Sequence, residues 1–462
     1  MHQSSIKKEI CKVLGIYFVT WTGVFSLTTW RISRDNRTFY ESASLFLEFL
    51  SNISFIIAIH ILFALILLLF YLVRYFIRLY KKKGLKIVIR QFVSRFLTPL
   101  LLVFLVFKTL IYANSKEISS YTWDKQIINT SGKTKKHFKN DGKHRGMSVF
   151  GWRRSNDESI EELVQANVEW VAVVPFMYQE TEKTKVINTP DNPNAFTRRD
   201  SMFLRTINKL HNKGIYVHLK PHLWMSEGWR STISLDSDEE WHTWFQTYRT
   251  NMLRYARMAE LTGVELFCIG TELSSSIKKQ PEQWVLLISE IRSIYSGKLT
   301  YAANWYDEYE YVSFWDKLDY IGIQGYFPLT EVNNPDLETI KKGWKPHITT
   351  LEAFSKEHNK PILFTEVGYK SEASATIKPW EWGNALSVLY RKKSERTQRL
   401  AYEALFQQLW HLDWFAGIYI WEWDIRSKKG DTYQDLNFSP RFKEAENVIA
   451  KWFSQPVEKE KP

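Results

Sequence analysis

The chain has 462 residues, a net charge of +12 at neutral pH and 45% hydrophobic residues. Its length exceeds the roughly 250 residues of a single α/β barrel, and its composition is not that of a disordered chain. A basic chain can bind nucleic acid, but a dense group of Lys and Arg residues lies at 74–95, between two hydrophobic runs. We therefore interpret this basic segment as a cytoplasmic loop between membrane spans and expect no nucleic-acid partner.

Three hydrophobic runs occupy the N-terminal third of the chain, at about residues 13–30, 53–73 and 96–113. Each approaches the ~20 residues that a helix needs to cross the hydrocarbon core of a bilayer. The Lys residues before the first run and the basic segment 74–95 predict that both face the cytoplasm. Three spans then place the remainder on the outer side of the cytoplasmic membrane, periplasmic or extracellular. We expect a multi-pass region over residues 1–113, with the lipid bilayer as a partner.

The first run has an alternative interpretation, because Lys7, Lys8 and Lys12 precede it as in the charged start of a signal peptide. The run is long, however, and no small-residue cleavage site is obvious after it. These features favour an uncleaved membrane anchor.

The region after the membrane spans changes in character twice. Residues 114–143 are polar, which is typical of a linker. From residue 144 to about 455, short hydrophobic runs alternate with helical stretches, which is typical of βαβ units. The predicted strands are 145–150, 169–176, 214–221, 264–270, 299–304, 318–325, 360–368 and 416–423.

Eight such units predict a closed (β/α)8 barrel, or TIM barrel, over residues 144–455, followed by a polar tail at 456–462. The fold class is therefore α/β, with a three-helix transmembrane region before the barrel. An open doubly wound sheet is the alternative, but it requires a glycine-rich phosphate turn after its first strand. The segment FGWRRSND at 150–157 is not such a turn.

Two glutamates stand at the C-terminal ends of predicted strands, where TIM barrels carry their active sites. Glu272 follows the fourth strand in the motif GTEL, and Glu366 ends the seventh strand in the motif TEVGY. These strands face each other across part of the barrel mouth, so their carboxylates can converge. Paired carboxylates suit glycoside hydrolysis, in which one protonates the leaving oxygen while the other attacks the anomeric carbon or activates a water. We predict both as catalytic residues.

The motifs GTEL and TEVGY resemble those of the retaining glycoside hydrolases of the TIM-barrel clan that carries its two glutamates on strands four and seven. Within this clan the chain is most similar to glycoside hydrolase family 113, known for endo-β-mannanases, over about residues 144–455. The resemblance implies that Glu272 is the acid/base and Glu366 the nucleophile, about 5–5.5 Å apart. The clan commonly has Asn before the acid/base, as a contact to the sugar 2-hydroxyl. This sequence departs from that pattern with Thr271, whose shorter hydroxyl is our candidate for a similar substrate contact.

Other strand ends supply candidate substrate-binding residues. Trp152 lies just past strand one, His222 follows strand three, and Asn304 ends strand five. The resemblance implies that Tyr326, after strand six, hydrogen-bonds the nucleophile. It also implies that Trp421, on strand eight, lies under the sugar at the cleavage point; a Trp that caps the core is the alternative.

A metal site is the other hypothesis for strand three, because His218 and His222 are four residues apart. On a strand, however, these two side chains would not share a face as the histidines of a helical HExxH motif do. We therefore expect no metal and no cofactor.

The sequence as a whole predicts a membrane-anchored retaining glycoside hydrolase that acts by double displacement on β-linked hexose polymers or oligomers, mannan-like by resemblance. Its expected partner is a carbohydrate substrate. The alternative is a catalytically inactive carbohydrate-binding barrel at the cell envelope, and the presence of both glutamates favours the enzyme.

Overall fold

The structure is a computed structural model, and the chain divides into two compact units, residues 1–107 and 108–462. It describes residues 2–33, 38–50, 53–117, 122, 124–134, 136–151, 157–190, 192, 195–384, 386–426 and 435–458.

The N-terminal region is helical. Its elements are α1 (His2–Ser33), α2 (Phe39–Phe49), α3 (Ile53–Lys83), α4 (Leu85–Phe92), a π-helical turn (Val93–Leu97) and α5 (Thr98–Ser115). Three helical stretches in the described part of the chain are long and apolar enough to cross a membrane, and each overlaps one of the three predicted spans: Ile6–Ser33, Phe55–Lys83 and Leu85–Ser115.

The basic segment 74–95 is helical rather than the loop we expected. Helix α3 continues through its lysines to Lys83, and α4 begins at Leu85. Only Gly84 separates them, with a φ of 79° that L-residues rarely adopt. Lys and Arg are good helix formers, so the helices extend through the charged residues and reverse at the glycine. The positive charge therefore lies on both arms of a helical hairpin.

The second unit contains a closed barrel, as the alternation of strands and helices predicts. Within the described residues eight parallel strands form it, in the spatial order β1, β2, β4, β6, β7, β8, β9, β10 and back to β1. The strands are β1 (His144–Phe150), β2 (Trp170–Val173), β4 (Tyr216–Leu219), β6 (Leu266–Thr271), β7 (Lys298–Asn304), β8 (Tyr320–Gln324), β9 (Ile362–Val367) and β10 (Phe415–Asp424).

The helices of this unit pack against the barrel, most of them on its outer face. They are α6 (Phe138–Asp141), α7 (Asp157–Gln165), α8 (Arg198–Asn212), α9 (Asp238–Thr262), α10 (Ser274–Lys279), α11 (Pro281–Ile294), α12 (Leu337–His358), α13 (Glu395–Leu409) and α14 (Glu444–Phe453). The main hydrophobic core lies between the strands and these helices.

Two short strands project beyond the barrel and were not predicted. They are β3 (Phe176–Gln179) and β5 (His222–Met225), and they pair in parallel as a separate two-stranded sheet. We assigned Phe176 to the second barrel strand because the hydrophobic run continues through it. That strand ends instead at Val173, and the projection places His222 at its start.

The segment 114–143 is not the free linker that its polar composition predicts. Its Asn114 side chain donates to the carbonyl of Leu389 at 2.7 Å, and Thr134 donates its N–H to Lys213 at 3.1 Å. Phe138 packs edge-on against Trp170 inside the N-terminal end of the barrel, with ring centroids 4.8 Å apart. An isolated aromatic residue carries no periodic signal, so only the tertiary contacts show that Phe138 covers the barrel floor.

The residues after α14 also contact this floor, although we expected a polar tail from residue 456. Val457 is buried, and its N–H donates to Asp141 at 2.9 Å. The same carboxylate forms an ion pair with buried Arg145 at 2.6 Å. Val457, near the C-terminal end of this unit, therefore contacts the buried ion pair of Asp141 and Arg145, which lies at the start of the barrel.

Candidate active site

The two candidate catalytic glutamates lie at the C-terminal mouth of the barrel. Glu366 is part of β9, and Glu272 directly follows β6 with a φ of 52°. Its N–H donates to the carbonyl of Ala302 on β7 at 2.9 Å, which fixes the backbone at this turn. As whole residues, Glu272 is 6% exposed and Glu366 is 5% exposed. Strands four and seven thus deliver two buried carboxylates to the same end of the barrel.

Glu272 is paired with a cation that the sequence analysis did not predict. The guanidinium of Arg230, in the loop after β5, forms an ion pair with its carboxylate, and the hydroxyl of Ser231 donates to its carbonyl at 2.8 Å. Burial raises the pKa of Glu272; Arg230 lowers it, the negative charge of Glu366 raises it, and the net direction is upward. A buried carboxyl with a raised pKa suits a group that must hold a proton.

Glu366 lies in a different environment, among donors. The ammonium of buried Lys220 lies 2.7 Å from its Oε1, and the hydroxyl of Tyr326 donates to its Oε2 at 3.1 Å. The Nε2 of His222 lies 3.5 Å from Oε1. A positive charge and a hydroxyl donor both stabilise a carboxylate, so this glutamate is arranged as an anion.

His222 and Trp421 face each other beside Glu366. Their rings are nearly parallel, with centroids 6.3 Å apart. His222 is buried, and its Nε2 has no hydrogen-bond partner among the described residues. Burial and the charges of Lys220 and Arg230 lower its pKa well below the usual range, so the ring is neutral. A neutral imidazole with an unoccupied nitrogen can bind a sugar hydroxyl.

Trp421 lies on β10, three residues before the strand ends at Asp424, and the peptide bond after it is cis. It packs with Tyr326 and Phe438 in a small cluster and is 8% exposed. An indole that is buried apart from a small exposed area fits both a sugar platform and a cap on the core, the two interpretations that the sequence left open.

Asn304 contributes less to the mouth than we expected. Its Nδ2 donates to Glu308 at 2.8 Å and to the hydroxyl of Ser231 at 3.1 Å, which uses both amide hydrogens. Only its side-chain carbonyl remains for a ligand. Glu308 is fully buried and also accepts a hydrogen bond from Tyr301, and burial raises its pKa to about 7. The pair acts as a support beneath the loop that carries Arg230.

Thr271 is buried at the end of β6, and its hydroxyl lies 3.9 Å from the sulfur of Cys268. Trp152 lies outside the described residues. Exposed aromatic side chains follow the C-terminal ends of several strands: Trp224, Trp229, Tyr306, Trp380 and Trp382. Among the residues the structure describes, no group of three or more His, Cys, Asp or Glu is placed to hold a metal ion.

Sequence reasoning missed three charged residues of this site, Lys220, Arg230 and Glu308. Lys220 had a signal, because a lysine that directly follows a buried strand is rarely buried without a partner. Arg230 and Glu308 had none, since they lie in loops 42 and 36 residues from Glu272. Their contacts depend on how the loops fold over the mouth.

A closed (β/α)8 barrel with paired buried carboxylates at its mouth is the architecture of a glycoside hydrolase. The chain belongs to glycoside hydrolase family 113, whose family model matches residues 148–441. No functionally curated protein matches the sequence.

Solved structures of this family share the fold. Two solved structures are each described as a GH113 β-1,4-mannanase, one of them as a complex, and each is 24% identical to this chain with a TM-score of 0.58. Each match covers 67% of this chain. It covers 98% of the solved chain in the complex and 97% of the solved chain in the other structure. The GH113 β-mannanase AaManA from Alicyclobacillus acidocaldarius, in complex with ManMIm, is 27% identical with a TM-score of 0.59; the match covers 68% of this chain and 97% of AaManA.

Proposed function

We propose that the chain is a membrane-anchored retaining glycoside hydrolase that cleaves β-linked, mannan-like polymers or oligomers. Glu366 is its nucleophile and Glu272 its acid/base. The observation that carries the proposal is the contrast between two neighbouring buried carboxyls. Glu366 accepts hydrogen bonds from Lys220 and Tyr326, and burial raises the pKa of Glu272. Donors around a carboxylate suit the nucleophile, and a carboxyl with a raised pKa suits the acid.

The first chemical step follows from this contrast. The carboxylate of Glu366 attacks the anomeric carbon and forms a covalent glycosyl ester, while the bond from that carbon to the leaving oxygen breaks. The proton of Glu272 passes to the leaving oxygen, which departs as a hydroxyl group of the second product. In the second step water attacks the anomeric carbon and gives a proton to Glu272, and the ester bond to Glu366 breaks.

The neighbouring side chains bind the sugar at the cleavage point. Trp421 offers an aromatic face, His222 an unoccupied ring nitrogen and Asn304 a carbonyl. Tyr326 orients the nucleophile by its hydrogen bond. We retain Thr271, which directly precedes Glu272, as the contact to the 2-hydroxyl, and Trp152 as a further aromatic contact.

The substrate class rests on the family and on the exposed aromatic residues. Three similar solved structures are β-mannanases by their descriptions. Exposed Trp and Tyr side chains along the mouth suit the apolar faces of successive sugar rings. These two observations support a β-linked oligosaccharide or polysaccharide as substrate.

Covalent trapping tests the mechanism. Incubation of the full chain with 2-deoxy-2-fluoro-β-mannosyl fluoride should give a glycosyl adduct on Glu366, identified by mass spectrometry of peptides. The Glu366→Gln variant should lose hydrolysis of β-mannooligosaccharides, and Glu331→Gln, at an exposed loop position, is the matched control. Full activity in Glu366→Gln would refute the nucleophile. Binding of mannooligosaccharides by a wild-type chain that shows no hydrolysis would indicate an inactive carbohydrate-binding barrel.

The three apolar helices support the membrane anchor. The basic hairpin at 74–95 predicts that this turn faces the cytoplasm and that the barrel lies on the outer side of the cytoplasmic membrane. Protease added to intact cells, after removal of any outer layer, should then degrade the barrel and leave the helices. A barrel that resists protease until the membrane is opened would refute this orientation.

A further inference from the structure

Arg230 lies in a short loop that closes over the candidate acid/base. Its guanidinium pairs with the carboxylate of Glu272 and stacks over the ring of Trp229, 4.4 Å from the ring centroid. The Arg230 side chain is 12% exposed, and that of Glu272 is 8% exposed. A pair so shielded from water interacts much more strongly than an ion pair on the surface.

The loop is anchored on both sides of Arg230. On one side, Ser231 donates to the carbonyl of Glu272 and accepts from Asn304 at 3.1 Å, while the hydroxyl of Ser275 donates to the Ser231 carbonyl at 2.9 Å. The other anchor is Glu182, which accepts from the N–H of Trp229 at 3.2 Å.

The same Glu182 carboxylate also accepts a hydrogen bond from the hydroxyl of Thr232. The backbone carbonyl of Glu182 accepts another from the N–H of Ser234 at 2.9 Å. A long, flexible arginine held only by its own ion pair would lose much of that energy to side-chain entropy. Here hydrogen bonds fix the loop on both flanks, so the cation is positioned before any ligand binds.

We propose that Arg230 is a positioning residue that fixes the orientation of the Glu272 carboxyl and favours its ionised form, which lets Glu272 change from acid to base between the two chemical steps. This inference rests on the proposed function.

The need for such a cation follows from the two steps. Before the first step Glu366 is an anion, and its charge helps Glu272 to keep its proton. Once Glu366 has become a neutral ester, that repulsion is gone while Arg230 remains. Glu272 then faces a net positive field and favours the carboxylate, which is the form that accepts a proton from water.

Charged or titratable groups on several other elements also affect the pKa of Glu272, but none of those that the structure describes replaces Arg230 as the direct partner of its carboxylate. Lys220 lies farther along the mouth, bonded to Glu366, and also lowers the pKa of Glu272. The groups that interact with Glu272 are Arg230, Lys220, Glu366, Glu308, Tyr306 and Tyr326. Arg230 alone among these pairs directly with its carboxylate in the described residues.

The pH profile of the Arg230→Gln variant tests the inference. Loss of the cation should raise the pKa of Glu272, so the alkaline limb of kcat/KM on a β-mannooligosaccharide should move to a pH about 1–3 higher. Near neutral pH Glu272 should then stay protonated in the covalent intermediate, and hydrolysis of an activated aryl mannoside should slow at the second step. Azide, a nucleophile that needs no general base, should restore turnover. Arg230→Lys keeps the charge and should return the limb most of the way.

The matched control is Arg292→Gln, which removes an arginine paired with Asp319 at 2.6 Å, near the N-terminal ends of the strands. It should leave the alkaline limb in place. An unmoved limb in Arg230→Gln, with wild-type activity present, would overturn the positioning role and leave the glycosidase assignment intact.

A readout that needs no turnover separates the two proposals. Infrared difference spectra across a pH titration report the carboxyl band of Glu272, assigned by its loss in Glu272→Gln. In Arg230→Gln this band should persist to a pH about 1–3 higher than in the wild-type chain. The same titration in both chains would overturn the inference even if no sugar were cleaved.

Discussion

Glu308 provides a direct test of the electrostatics beneath the active site. It is fully buried next to Asn304 and Tyr301, and burial raises its pKa from 4.5 to about 7. Replacement by Gln keeps the size and the oxygen that accepts from Asn304 but removes the ionisation. Between pH 5 and 8, only the wild-type chain must take up this buried negative charge.

The sign and size of the effect follow from linkage. Because the pKa of Glu308 is higher in the folded state than in the unfolded state, the folded state binds more protons between pH 4.5 and about 7. The free energy of unfolding of the wild-type chain therefore falls as pH rises through this window. The shift of roughly 2.5 pKa units corresponds to about 3 kcal/mol at 1.36 kcal/mol per unit.

The measurement is guanidinium-induced unfolding of the full chain in a mild nonionic detergent, followed by Trp fluorescence from pH 4.5 to 8.5. The stability of Glu308→Gln relative to wild type should improve by about 3 kcal/mol from the acid to the alkaline end. Glu331→Gln, at an exposed position, should show no comparable trend. A difference between Glu308→Gln and wild type that stays constant with pH would refute a buried, ionising Glu308.

Two further predictions concern the nucleophile and the barrel floor. Tyr326→Phe removes the hydroxyl that donates to Glu366. Because a hydrogen bond to a charged group contributes about 1.5–3 kcal/mol, kcat should fall by about 10- to 150-fold while the circular dichroism spectrum stays unchanged. An unchanged kcat would exclude a role of Tyr326 in orienting the proposed nucleophile. Asp141→Asn removes the nearer counter-ion of buried Arg145 and leaves only Glu169, 3.9 Å from its Nε. It should cost about 3 kcal/mol in unfolding, the low end for a broken buried ion pair, against almost nothing for exposed Asp316→Asn; equal unfolding curves for the two variants would contradict it.

The cations at the mouth explain how two buried carboxylates can lie near each other. Isolated buried charges of one sign are costly, and like charges repel strongly where water is excluded. Lys220 is bonded to Glu366, and Arg230 is paired with Glu272. Each carboxylate thus has its own counter-ion, and the two can take different protonation states without destabilising the mouth.

Local patterns in the sequence determined the architecture of this protein. Hydrophobic runs of strand length, separated by helical periods, predicted the eight barrel strands, because burial on both faces makes such strands apolar throughout. Three long apolar runs predicted the helices that are able to cross a membrane. The two glutamates were found because a TIM barrel uses the residues that directly follow its strands, and this position is visible in the sequence.

Only the tertiary structure decided what surrounds these glutamates. The pairing of β3 with β5, the contact of Phe138 with Trp170 and the approach of Arg230 to Glu272 all join residues far apart in the chain. The polar residue Asn114, in the segment 114–143, hydrogen-bonds to Leu389 rather than to water alone. Each of these features depends on contacts that form after the barrel closes. No local pattern of hydrophobic and polar residues encodes them, and so the sequence supplies the proposed catalytic pair while folding supplies its electrostatic environment.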